Sequence, residues 1–181
     1  MLQPNDILHF WFEETKPDQW FEKSPAFDEL LRKRFLTVYQ KACDGKLSSW
    51  MTTPQGTLAL IILLDQFSRN LFRGLAAAFA QDAKVLKLAK AGIKQGFDQK
   101  LNSKEMQMFF YMPFMHSENL KDQEKGVELF QTLGDPRALE YMILHKNIIK
   151  KFGHFPHRNQ ALGRSSTKEE TEFLQQPNSS F

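Results

Sequence analysis

The segment 58–74, LALIILLDQFSRNLFRG, limits what this chain can fold into more than any other. Seven uninterrupted aliphatic residues open it, and Asp65, Gln66, Arg69, Asn70 and Arg73 follow directly. So dense an aliphatic run belongs at the centre of a core. The polar groups after it must therefore emerge at, or stay within, a water-poor place. Asp65, Arg69 and Arg73 recur every four residues. A continuing helix would put them on one face with the acid ahead of the base, the favourable order. Two readings are open here. Either Asp65 and Arg69 form a partly buried ion pair that fixes how the core helix meets its neighbours, or Arg69, Asn70 and Arg73 donate to a ligand. In the second case the planar guanidinium fork suits a carboxylate or phosphate.

The remaining periodicity is helical. Asn5 can cap a helix over 6–14, which the stretch 15–18 breaks at Pro17. Ser24 then Pro25 is an N-cap with proline at the first helical position. Phe27, Leu31, Phe35, Val38 and Ala42 follow at spacings of three and four until Asp44-Gly45. Thr53-Pro54 repeats that signal and opens the central helix, predicted to end between Asn70 and Gly74. Further helices are predicted over 82–95, closed by Gly96; from Ser103 through Tyr111, terminated by Pro113; over 119–133, closed by Gly134; and from Asp135-Pro136 to Phe152, closed by Gly153. A last short helix follows the Thr167 and Glu170 capping box through Leu174. Gly153, Pro156 and Gly163 predict a non-helical segment over 152–164. No stretch alternates with period two. The expectation is an all-α chain of about eight helices arranged as hairpins. One domain is expected over 1–174 with 175–181 as a frayed tail. The tetratricopeptide consensus does not recur at any fixed period, so a solenoid of true repeats is not supported.

A chain of 181 residues can bury roughly two thirds of its unfolded surface in one core. Seventeen Phe and three Trp against three Tyr mean that packing relies on rings without polar handles. The single cysteine, Cys43, excludes an internal disulfide, fits a reducing compartment and is expected as a small buried apolar side chain. The start, MLQPNDILHF, lacks the basic region of a signal peptide, and the aliphatic run is far shorter than the roughly 20 residues that span a bilayer. A cytoplasmic protein without membrane contact is expected. The net charge of +3 is uneven: from His145 to Arg164 there are Lys146, Lys150, Lys151, Arg158 and Arg164 and no acid, so this segment is +5 and the remainder −2. An anionic partner near it is favoured.

Two more polar constellations stand out. The segment 152–164, FGHFPHRNQALGR, carries His154, His157, Arg158, Asn159 and Arg164 between the apolar anchors Phe152, Phe155 and Leu162. A pinned loop with that load is a better functional candidate than a solvated one. The segment 113–118, PFMHSE, adds His116 and Glu118, and hairpin logic brings His145 to the facing side of the later helix. Together with His157 and Asp65 these have the donor chemistry of a nitrogen and oxygen metal site. No close-spaced signature supports one, so neither metal nor cofactor is expected. The bland alternative is hydrogen-bonded buried histidines, with Ser117 or Glu118 serving the helix start at Asn119. His9, in an apolar helix, reads as structural. There is no nucleophile elbow, phosphate loop or dinucleotide fingerprint. Phe152 and Phe155 amid lysines make only a weak basic-aromatic patch, which argues against nucleic acid.

The strings ILHFWFEE, LALIILLDQFSRNLFRG, FFYMPFMHSENLKDQE and HKNIIKKFGHFPHRNQALGRSSTKEE, with Trp20-Phe21 between, resemble the bacterial family catalogued as domain of unknown function 924. The likeness runs from Ile7 to Leu174 in the family's order. Two positions depart from it: Ser68 stands where the family typically has proline, and His154 where arginine is common. The first questions a sharp turn after Phe67; the second lowers the charge of an anion site. The resemblance implies a tetratricopeptide-like helical fold and no reaction. Its polar positions matched here are Asp65, Gln66, Arg69, Asn70 and Arg73 in the first half, and His116, Ser117, Glu118, His145, His157, Arg158, Asn159, Gly163 and Arg164 in the second.

Three functions fit the sequence. In the leading one, Arg69, Arg73, Arg158 and Arg164 hold a small phosphate- or carboxylate-bearing molecule in an internal pocket that Asp65, Asn70, Glu118 and Asn159 help to form. His116, His145 and His157 line it and transfer protons. The second is a metal-assisted hydrolase using His116, Glu118, His145 and Asp65. The third is an interaction scaffold with a protein partner or a second copy of the chain, its polar runs being buried structural networks. Sequence leaves open whether the protein is an enzyme.

Overall fold

The computed structural model describes residues 2–180, and among them there are helices and turns and no strand. No described helix is long and apolar enough to cross a membrane. The chain divides into two compact units, Met1–Arg73 with Ala77–Pro113, and Gly74–Ala76 with Phe114–Phe181.

The first unit is built on the central helix. Thr53 caps it by accepting the Gly56 amide at 3.1 Å. The helix runs as α3 (Pro54–Ile61), widens to π geometry over Ile62–Phe67, and returns to α as α4 (Ser68–Leu71). Every residue from 56 to 68 is buried. No sharp turn follows Phe67; Ser68 continues the helix. Around it lie α1 (Pro4–His9), extended in π geometry over Phe10–Glu14, then α2 (Pro25–Cys43) and α5 (Asp82–Lys94), with most of α6 (Lys104–Met115). The core is aromatic, as expected: Phe35 lies 4.7 Å from Phe10 and 5.2 Å from Phe67 between ring centroids, and Trp11 lies 5.5 Å from Phe67 and 5.6 Å from Phe109.

Widened turns shift the carbonyl partners, and side chains take up the acceptors. In the first π stretch the Thr15 hydroxyl donates to the Phe10 carbonyl at 2.8 Å, and the Trp20 indole to the Trp11 carbonyl at 2.8 Å. After the second, Ser68, Arg69 and Asn70 donate to the carbonyls of Leu64, Asp65 and Gln66 at 2.7, 2.9 and 3.0 Å, each four residues back. Helix ends are treated alike. Lys84 reaches the terminal α2 carbonyls of Ala42 and Cys43 at 2.8 and 2.7 Å, where a cation also complements the helix dipole.

In the second unit, α7 (Leu120–Leu133) and α8 (Pro136–Phe152) pack as a hairpin. Gly134 closes α7 at φ 69°, a conformation only glycine adopts readily, and Asp135 caps α8 through the amides of Arg137 and Ala138. Phe130, Met142, Ile148, Ile149 and Phe155 are buried in this unit. The buried Gln123 donates to the carbonyls of Met115 and Ser117 at 2.6 and 2.7 Å, finishing the end of α6.

Four expectations need correction. The first helix begins at Pro4, because the Gln3 amide is held by the Asp6 carboxylate at 2.7 Å; Asn5 lies inside it. Pro113 does not end α6, which continues to Met115 although proline there removes one helical amide and crowds the carbonyl four residues back. The segment 152–164 is not free of helix. Pro156 starts a 3-10 turn (Pro156–Arg158) that passes into α9 (Asn159–Leu162), its fixed φ suiting a first helical position. Cys43 is only half-buried, in the last turn of α2. The chain then closes with α10 (Lys168–Phe173), capped by Thr167 and Glu170 as expected. Beyond it Ser179 is buried and donates to the Leu174 carbonyl at 3.1 Å.

Gly92, on α5, tests the packing. A Cβ there would lie 2.5 Å from the Phe110 ring and 3.3 Å from the Thr57 methyl. Helix propensity alone predicts that Gly92→Ala stabilises by up to about 1 kcal/mol. The fully buried Phe110 has no room to yield. We expect a loss of about 1–3 kcal/mol instead, read as a fall in Tm of roughly 2–4 °C for each kcal/mol. A rise in Tm would mean that the α5 contact is loose.

Candidate functional site

The sequence-derived site residues fall into two networks, one in each unit. In the first, Asp65 is fully buried within the π stretch. Arg69, one helical turn on, pairs with its Oδ1 at 3.1 Å and grips Asp82 of α5 with two N–H donors, both at 3.1 Å. Gln66 adds a donor to Asp65 Oδ2 at 2.6 Å. Burial opposes the Arg69 charge, but the fields of Asp65 and Asp82 overcome it and raise its pKa.

Arg73 does not share that face. Helix α4 ends at Leu71, and Phe72 leaves the helical conformation at φ −128°, so Arg73 turns to α2. There it holds Asp28 with two N–H donors at 2.8 Å and the Asn70 side-chain oxygen at 2.9 Å. Two arginines thus meet three aspartates, Asp28, Asp65 and Asp82, and the network carries no positive excess. This geometry favours the structural reading of Asp65, Arg69, Asn70 and Arg73: they lock α2, the central helix and α5 together.

In the second unit the polar residues gather around Phe155. Glu118, just before α7, accepts the Phe155 amide at 3.0 Å and both terminal nitrogens of Arg164 at 2.9 and 3.0 Å. Arg158 approaches the same carboxylate at 3.9 Å. Burial works against the Glu118 charge, and these donors outweigh it, holding its pKa below the ordinary value. Glu118 is therefore a clamp on the 155–164 segment. Helix α7 is capped by Asn119, which accepts the Lys121 amide at 2.9 Å, and not by Ser117 or Glu118; Ser117 instead accepts the Asn119 amide at 3.2 Å.

Arg158 is only 5% exposed. Its guanidinium lies over the Phe155 ring, 4.5 Å from the centroid, and donates to the His116 carbonyl at 3.0 Å. His145 also meets Phe155, in T-shaped contact at 5.6 Å between centroids. His116 lies 6.2 Å from His145, and His157 packs on Phe155 at 5.5 Å. His145 Nδ1 sits 2.8 Å from the Tyr141 carbonyl. A carbonyl only accepts, so Nδ1 carries the proton in the neutral ring. Burial first, then the neighbouring charge of His116, pushes the His145 pKa down to about 3. The ring is neutral at physiological pH.

Asn159 belongs to a lock on α10. Its amide donates to the Ser166 hydroxyl at 3.1 Å and to Glu170 at 3.5 Å. Glu170 also accepts the Thr167 amide at 2.7 Å and pairs with His154 at 2.6 Å. His154 thus stands beside an acid, a place an arginine would also serve. Sequence reasoning found the Thr167 cap and named His154 and Phe155 in the 152–164 segment, but missed Asp28 and Asp82, whose partners are distant along the chain. Among the described residues, no three or more His, Cys, Asp or Glu side chains gather as they would around a metal ion.

No curated protein matches the chain. The structure is similar to that solved for a protein of unknown function from Agrobacterium tumefaciens, with a TM-score of 0.90 and 38% identity over 94% of this chain and 96% of that one. The family described as bacterial protein of unknown function (DUF924) matches residues 7–178. The matched span takes in both networks, and on that extent the chain belongs to the DUF924 family.

Proposed function

We propose that the cluster around Phe155 binds a small molecule bearing a phosphate or carboxylate group, with Arg158 as its charge and His116 and His157 as its polar neighbours. One observation carries this reading: a buried guanidinium and two imidazoles, His145 and His157, meet on the Phe155 ring in the second unit, with the His116 imidazole beside His145. Desolvating such groups is costly, and packing alone gains nothing from placing them together. Clusters of this kind mark functional sites. The neutral His145 is too weak a base to take a proton near pH 7, so any proton transfer falls to His116 and His157. Arg164 and Glu118 position the segment, and Asp65, Arg69, Asn70 and Arg73 are left out of the ligand set by the carboxylates they hold. The metal-assisted hydrolase is less well supported, because Glu118 is already engaged by Arg164 and the Phe155 amide. The setting we infer is the cytoplasm, because a single cysteine fits a reducing compartment.

Thermal unfolding of untagged protein with inorganic phosphate, pyrophosphate or citrate tests the binding. At 100 times its dissociation constant a ligand stabilises by about 2.7 kcal/mol, a rise of roughly 5–10 °C. We expect at least one of the three to give it, Arg158→Ala and Arg158→Lys to diminish it, and Arg73→Ala to keep it. No rise with any anion, or a rise indifferent to both Arg158 variants, would sink the assignment.

His145 also makes a stability prediction. Its folded pKa lies below the ordinary 6.5, so between pH 3 and 6.5 the unfolded chain binds the extra proton. The stability this neutral ring brings is complete above pH 6.5 and declines as pH falls, with a slope of up to about 1.4 kcal/mol per pH unit. Urea unfolding from pH 7.5 to 5 should show wild type losing about one proton's worth more slope than His145→Gln. Parallel curves would mean that the ring is solvated.

A further inference from the structure

We propose a second ligand site, on the first unit, that takes a small carboxylate with a short apolar tail. Along α2, Arg34, Thr37, Val38 and Lys41 are spaced three, one and three residues apart and make one stripe. With Leu2 and Leu47 they line a cleft of about 210 Å³ that has no acid among its described lining residues. Val38 and Leu47 are 6% and 8% exposed and form its apolar floor. The two cations differ in state. Arg34 is fixed: it pairs with Glu14 through two N–H donors and lies over the Phe10 ring, 4.6 Å from the centroid, so its charge is neutralised and it serves as a wall. Lys41 has no ion pair among the described residues, is half-buried and lines the same cleft as Val38 and Leu47. Thr37, exposed at the rim, offers a hydroxyl. A cationic head at one edge, a hydroxyl beside it and an aliphatic floor match a carboxylate head with an aliphatic tail.

A single lysine in a shallow cleft gives weak binding, with a dissociation constant on the order of millimolar. The site shares no residue with the Phe155 cluster, and Arg158→Ala leaves it unchanged. The test is a ¹H–¹⁵N NMR titration of the whole untagged chain with sodium hexanoate, run beside acetate and hexanol. Saturable shifts at Thr37, Val38, Lys41 and Leu47 are expected with hexanoate, and several-fold weaker ones with acetate, which lacks the tail, or hexanol, which lacks the charge. Lys41→Gln, at a partly exposed position that tolerates the change, should weaken hexanoate severalfold while Val38→Ser removes the advantage over acetate. Shifts that do not saturate, that map only to the second unit, or that are the same in Lys41→Gln would overturn the proposal.

Discussion

The first unit depends on one constraint: a helix surrounded on all sides by apolar side chains must still satisfy its own carbonyl oxygens. Residues 56–68 are buried without interruption, and part of that span is wound in π geometry. Returning to the tighter α register displaces backbone partners where no water can replace them. Ser68, Arg69 and Asn70 supply the donors, each to the carbonyl four residues behind. Arg69 then needs its own charge balanced, which brings in Asp65 and Asp82 and ties α5 to the centre. What reads along the sequence as a polar motif after an aliphatic run is the consequence of burying that run.

The second unit solves a different problem with similar parts. A segment of short turns, 155–164, has too little apolar area to hold its conformation by packing alone. One carboxylate, Glu118, collects an amide and two guanidinium groups from it. Phe155 provides the shared surface on which Arg158, His145 and His157 rest. The polar groups here support one another: Arg158 holds the His116 carbonyl, and His145 the Tyr141 carbonyl.

The legible parts were those whose cause is local. Thr53, Ser24 and Asp135 each cap the helix that follows within three residues, and Gly134 and Gly153 stop helices because a positive φ is needed there. The dense aliphatics at 58–64 announced a buried helix. The π widening was not legible, because α and π turns demand the same apolar residues and differ only in register. Nor were the partners of the motif arginines: Arg73 reaches back 45 residues to Asp28, and Glu118 reaches forward 46 to Arg164. Asp28 is one of two adjacent acids in a predicted helix, with nothing local to mark it out. The all-α class followed from periodicity alone, whereas the destination of each charge required the tertiary structure.

The Glu118 clamp has a consequence for motion. Because the Phe155 amide, Arg158 and Arg164 meet at one carboxylate, the 155–164 segment does not fray residue by residue. Releasing Glu118 frees all of its attachments at once, so the segment opens as a small cooperative unit with its own local stability. A ligand reaching Arg158 would then meet one of two states, shut or fully released, with little between them.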